Sequence, residues 1–235
     1  FEFDAKDVLN IRIDRKRKLP ATTMLYALGY DTEQILDLFY TNSIYRLDKA
    51  GWITGFRADA WKGVKPEFDL VDAKTNKAVA EAGKKITALK AKRIAEANTD
   101  EILVPSDALV GKFLARDVVN TETGEIFGEA GDMLEEEMLA EMREYGIDTI
   151  EVLDIDASGR GPWLRNTLKA DKNETRFEAL SDIYRVMRPG EPPTQEAADA
   201  LFGQLFFDPE RYDLSAVGRV KMNMRLDLDC PDDVR

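Results

Sequence analysis

Histidine is absent from this sequence of 235 residues, and cysteine occurs once, as Cys230. Without imidazole the chain has no Ser-His-Asp triad and no histidine metal site. A single cysteine excludes an internal disulfide, and its place beside Pro231 favours an inert structural thiol in a reducing compartment. No apolar run approaches the ~18 residues of a membrane span, so a soluble globular protein is expected. These absences favour binding or assembly over catalysis.

The negative charge of the chain is concentrated in one segment. Acidic residues outnumber basic ones by 45 to 33, for a formal net charge of -12. Fourteen acids and a single base, Arg143, lie within 117–156, whereas the remainder is nearly neutral and contains the basic run Arg15 to Lys18. The net charge argues against a free-standing nucleic-acid binder. Because the excess of acids comes from one segment, the flanking segments remain able to bind nucleic-acid phosphates. The acidic segment is a solvated face, a docking surface for a basic partner, or a segment that keeps away from DNA phosphates.

A repeat with a spacing of 48 residues occupies the middle of the chain. Residues 75–86 align with 123–134, and the triplet Glu-Ala-Gly coincides in the two copies. A helical stretch and a β-rich run follow each copy, which predicts two tandem ββαβ units at about 67–106 and 115–155. Gly83 and Gly131 would supply an unusual backbone conformation between the second strand and the helix.

Helical spacing of apolar residues dominates the flanks, and the combined pattern predicts an α+β fold. Asp31 is an expected N-cap with Gln34 in the capping-box position, and both Phe39 and Phe177 are expected on buried helix faces. A half-buried strand is predicted over 7–14. Helices are predicted at 21–28, 32–40, 87–97, 135–145, 176–187 and 195–206.

No motif in the chain supports metal-dependent or phosphate chemistry. Asp154 begins a segment like a calcium-binding loop, but position 12 of that loop is Arg165 where a glutamate is required. The three consecutive acids at 135–137 fan around a helix and do not converge on one ion. Phosphate-binding glycine loops are absent. The residues alone therefore predict a non-catalytic module without a metal site.

Four segments carry a specific resemblance to a known family. They read RIDRKRKLPAT at 12–22, TEQILDLF at 32–39, IYRVMRPGEPPT at 183–194 and FFDPERYDLSAVGR at 206–219. These segments resemble the β subunit of bacterial DNA-directed RNA polymerase, over roughly 1–40 and 160–222. The match is weak through the middle of the chain.

The resemblance implies a mostly helical lobe domain that is split in two. Its parts are residues 1–40 and 158–235, and a lineage-specific insertion at 41–157 holds the repeats. Because the chain also starts inside a strand-like alternation, we expect it to be a piece of a longer protein.

The resemblance also implies an activity and a set of partners. The family is a nucleotidyltransferase that performs DNA-templated transcription in the bacterial cytoplasm, associated with the nucleoid. Its catalytic Mg is bound by the partner β′ subunit, so no catalytic residue and no cofactor is expected in this fragment. The implied partners are the β′, α and σ subunits and the downstream and non-template DNA, with no membrane.

Basic residues of the lobe are the implied DNA contacts. Arg185 and Arg188 are the leading candidates, because they lie at the end of the predicted helix, where the proline-rich loop 188–193 begins. That loop is stiff enough to hold an arginine in place. The run Arg15, Lys16 and Arg17 follows. The alternative is that these cations cap helix carbonyls or pair with acids inside the lobe.

A second function from a different class is protein docking. In that reading the acidic second repeat, through Glu135, Glu136 and Glu141, binds a transcription regulator.

Overall fold

A computed structural model describes residues 1–120, 123–155, 161–211 and 214–231. Both helices and sheets are present, which confirms the predicted α+β class. The helices are α1 (Ala21–Ala27), α2 (Thr32–Phe39), α3 (Ala58–Trp61), α4 (Ala88–Glu96), α5 (Glu136–Glu144), α6 (Trp163–Ala170), α7 (Arg176–Met187), α8 (Gln195–Phe206) and α9 (Ala216–Leu226). The strands are β1 (Glu2–Phe3), β2 (Leu9–Ile11), β3 (Leu19–Pro20), β4 (Asn42–Asp48), β5 (Gly51–Gly55), β6 (Leu70–Asp72), β7 (Ala78–Ala80), β8 (Glu101–Val104), β9 (Val118–Val119), β10 (Ile126–Gly128) and β11 (Thr149–Leu153).

The strands form three antiparallel sheets. One has the order β1-β2-β3, one pairs β10 with β9, and the largest has the order β11-β4-β5-β8-β6-β7. In the largest sheet Asn42 is the register partner of Leu153, and the Asp154 amide donates to the Thr41 carbonyl at 2.8 Å. The chain therefore enters and leaves this sheet at neighbouring positions.

Two hydrophobic clusters hold the elements together. One joins the small sheet β1-β2-β3 to the helices α1, α2, α6, α7 and α8, with Ile35, Leu36 and Leu180 among its most buried side chains. The other includes residues of the six-stranded sheet together with α4 and α5, and Trp52 and Ile102 are among its fully buried side chains. Burial of large apolar side chains is the main favourable term in each.

The expected helices are present, but two expected burials are wrong. Asp31 caps α2 through its side chain, and Gln34 completes the capping box. Phe39 and Phe177 are 41% and 45% exposed, so neither side chain lies on the fully buried face of its helix. The strand expected over 7–14 is confined to Leu9–Ile11.

Backbone hydrogen bonds recur at a spacing of 48 residues. The Gly83 amide donates to the Pro66 carbonyl at 2.7 Å, and the Gly131 amide donates to the Leu114 carbonyl at 2.8 Å. The pairs Ile86 to Val64 and Leu134 to Lys112 are likewise both 2.8 Å. Left-handed residues recur as well, at 63 and 111, 76 and 124, 83 and 131, and 98 and 146.

Candidate nucleic-acid interface

The basic run lies at the tip of a β-hairpin. Strands β2 and β3 pair through Ile11 and Leu19, and the residues between them form the tip. Asp14 and Arg15 have φ values of 48° and 58°, a left-handed pair that turns the chain sharply. The turn leaves the side chains of residues 15 to 18 exposed to solvent.

The second basic group lies where α7 ends. Arg188 is the C-cap of the helix, and its amide donates to the Tyr184 carbonyl at 2.7 Å. The Tyr184 hydroxyl donates to Glu191 Oε2 at 2.9 Å, and this hydrogen bond raises the pKa of Tyr184. The proline-rich loop is therefore tied back to the helix from which Arg185 and Arg188 project.

The fold brings these two groups together. Lys16 Nζ donates to the Met187 carbonyl at 3.4 Å, so the hairpin tip touches the end of α7 although the two are 171 residues apart. We call the surface formed by Arg15, Lys16, Arg17, Arg185 and Arg188 the basic edge. A cation at a helix C-terminus is favourable, and here Lys16 has that capping role.

The cations of the basic edge are weakly neutralised. Arg185 pairs with Asp182 at 2.9 Å, and Arg188 lies 3.9 Å from Glu191, with both arginines more than half exposed. Arg15 and Arg17 have no ion pair within the described part of the chain. Exposed pairs of this kind contribute only ~0–1 kcal/mol, so these guanidinium groups can exchange their present partners for phosphate oxygens at little cost.

The predicted docking acids belong to the other cluster. Glu135, Glu136 and Glu141 are exposed, while α5 buries Leu139 and Met142 in the hydrophobic cluster that contains Trp52. The apolar residues of α5 belong to this second cluster, whereas those of α7, which precedes Arg188, belong to the first.

The segment from Asp154 that resembles a calcium-binding loop makes other contacts in its described part. Asp154 accepts from Ser43 Oγ at 2.7 Å and is paired with Arg57, so its carboxylate is occupied. Residues 156–160 of that loop lie outside the described residues. Among the described residues, no group of three or more acids or cysteines is placed to hold a metal ion. Within the same ranges, none of the helices combines the length and apolarity needed to cross a membrane.

Sequence reasoning missed the residues that join the two clusters. Arg165 and Lys169 on α6 contact the Gly131 carbonyl at 2.5 Å and Asp132 at 2.7 Å, respectively. Arg116 pairs with Asp37 of α2 at 2.7 Å. The spacing of Leu164, Thr167 and Leu168 was the available sign of a helix after Pro162, although nothing local reveals its partners.

Comparison with known proteins identifies the family. A family model described as RNA polymerase Rpb2, domain 2, matches residues 152–235. The DNA-directed RNA polymerase subunit beta of Caulobacter vibrioides (strain NA1000 / CB15N) is 57% identical over 235 residues, which is 100% of this chain and 17% of the relative. The corresponding subunits of Jannaschia sp. (strain CCS1) and Rhizobium leguminosarum bv. trifolii are 56% and 54% identical, again over 100% of this chain and over 18% and 17% of the relatives.

The chain belongs to the bacterial RNA polymerase β-subunit family and corresponds to its lobe region. It spans less than a fifth of the length of these curated relatives.

Proposed function

We propose that this chain is a part of the polymerase β subunit that helps form the DNA cleft during DNA-templated transcription. The identity to β subunits over all 235 residues carries the proposal. The whole enzyme would be a nucleotidyltransferase of the bacterial cytoplasm, in contact with the nucleoid and with the β′, α and σ subunits. Its catalytic Mg would be bound by β′, so this part would hold no metal and have no activity alone.

The basic edge is the surface that we propose lies along downstream and non-template DNA. Its cations come from two distant segments and converge on one face, as a phosphate-binding surface requires. Contacts of this kind position the duplex and do not read its sequence.

The salt dependence of DNA binding tests this role. The slope of log K against log[salt] is negative, and each lost phosphate contact reduces its magnitude by roughly one unit. We expect this loss for Arg188→Ala, measured on open complexes of the holoenzyme. The control is Arg176→Ala, because Arg176 begins the same helix at its other end and pairs with Asp199 at 2.6 Å. An unchanged slope for Arg188→Ala, or an equal change for the control, would contradict the assignment.

We further propose that residues 1–40 and 158–235 form one split lobe and that 41–157 is an insertion built by tandem duplication of a ββαβ unit. The paired hydrogen bonds and left-handed positions 48 residues apart support the duplication. The element order also supports the duplication, because β6-β7-α4-β8 is followed by β9-β10-α5-β11. The comparisons give no support to the alternative in which the acidic second copy docks a regulator.

A further inference from the structure

The turn that follows α7 is closed by a backbone hydrogen bond. The Glu191 amide donates to the Arg188 carbonyl at 3.3 Å, and Gly190 between them has a left-handed φ of 91°. Pro189 fixes a further dihedral angle of the same turn. Arg188 and Glu191 therefore lie at the two ends of one four-residue turn, and both side chains are more than half exposed.

The carboxylate of Glu191 faces two donors at unequal distances. Its Oε2 accepts from the Tyr184 hydroxyl at 2.9 Å, whereas its Oε1 lies 3.9 Å from Nη1 of Arg188. The first contact is an ordinary hydrogen bond, and the second is too long for one, since N–H···O bonds span about 2.7–3.2 Å. Glu191 is thus bonded to the tyrosine and only approaches the arginine.

The Tyr184 hydroxyl is a donor in a fixed place. Tyr184 belongs to the hydrophobic cluster of the helices and is only 9% exposed, so packing sets the position of its ring. A Glu191 carboxylate released from this hydroxyl could turn both oxygens toward Arg188 and form the two-bonded pair that arginine and carboxylate favour. Such a pair would occupy the donors that a phosphate needs.

We propose that Tyr184 is a positioning residue, which holds Glu191 away from Arg188 and so keeps the Arg188 guanidinium available to DNA phosphates. The inference rests on the proposed role of the basic edge. Without the hydroxyl, Glu191 becomes an internal competitor of DNA, because a carboxylate offers an arginine the same kind of acceptor as a phosphate.

The DNA affinity of the holoenzyme tests this role, with Tyr184→Phe introduced into the full β subunit. We expect the association constant of open complexes at fixed salt to fall about threefold, within the range of an exposed ion pair. Addition of Glu191→Gln should restore the wild-type value, because a neutral amide does not compete with phosphate for Arg188. The control is Tyr26→Phe, which removes a hydroxyl from the same cluster, where it lies 2.8 Å from Thr32 Oγ1, and should leave the affinity unchanged.

Three results would overturn this inference and leave the role of the basic edge in place. They are an unchanged constant for Tyr184→Phe, a loss that Glu191→Gln does not restore, and an equal loss in Tyr26→Phe. A loss that is not restored would show that the hydroxyl only stabilises the end of the helix. Failure of the proposed function has a different signature: an unchanged salt slope for Arg188→Ala would overturn both.

Discussion

At the scale of single residues, two glycines set the path from strand to helix in the middle of the chain. Gly83 and Gly131 have positive φ, which costs an L-residue roughly 1–2 kcal/mol. A Cβ added at Gly83 would meet no atom within 4 Å, and at Gly131 it would meet Arg165 Cγ at 3.7 Å, an ordinary contact. The demand for glycine therefore comes from backbone conformation and not from space.

Alanine at either glycine should destabilise the chain by a similar amount, about 1–2 kcal/mol, because both copies need the same left-handed turn. Urea unfolding of residues 1–235 measures this. Gly55→Ala is the control, since Gly55 lacks a positive φ and has no atom within 4 Å of its added Cβ. A neutral result for one of the two glycines would show that the copies differ there.

At the scale of elements, helix α6 connects the hydrophobic cluster around Ile35, Leu36 and Leu180 to Gly131 and Asp132 of the second copy of the repeat. Lys169 of this helix pairs with Asp132, and the pair is only partly shielded from solvent, since the Asp132 side chain is 25% exposed. Burial alone raises the pKa of Asp132, but the hydrogen bonds from Lys169 and from the Glu129 amide, together with nearby positive charge, lower it below its ordinary 3.8. The ionised form is thus the one that the folded chain stabilises.

Asp132→Asn should therefore destabilise the chain at neutral pH, by up to about 1 kcal/mol for a partly exposed pair. A lowered pKa in the folded state stabilises the chain fully above pH 3.8, and this contribution is lost as the pH falls through the lowered value. The difference between wild type and variant in urea midpoint should shrink below pH 3.8. The exposed Asp148→Asn serves as control. A difference that is constant with pH would contradict an electrostatic role for Asp132.

At the scale of the whole molecule, the proposed insertion is joined to the lobe through adjacent strands. Asn42 and Leu153 are register partners, and the Thr41 carbonyl accepts from the Asp154 amide. A short turn can span such a pair. The lobe would nevertheless lose packing, because Phe113, Ala115 and Ala130 contact its hydrophobic cluster.

Replacement of residues 43–152 by Asn-Gly should leave a folded lobe with a lower melting temperature. Far-UV circular dichroism of the shortened chain would show the helices. In the holoenzyme, the salt slope of open complexes should match that of the wild type, because the basic edge lies outside the deleted residues. Loss of helical signal would contradict an independent lobe, and a smaller slope would indicate that the deleted residues also contact DNA.

Local patterns in the sequence determined most of the elements. The periodicity over 176–187 and 195–206 predicted α7 and α8 with their bounds, and Asp31 with Gln34 predicted the start of α2. Caps and apolar spacing act within one or two turns, so they are visible in sequence. The resemblance to polymerase β subunits was carried by short motifs in the same way, and the comparisons confirm it.

Only the tertiary structure decided which distant residues meet. Lys16 reaches the Met187 carbonyl across 171 residues, and Arg165 reaches Gly131 across 34. The exposure of Phe39 and Phe177 depends equally on which element packs beside each helix. Such contacts arise from how two cores and their connecting strands are arranged, and no local spacing encodes them. The sequence by itself determined the capped and periodic helices and the family, whereas the fold assembled the basic edge from segments far apart in the chain.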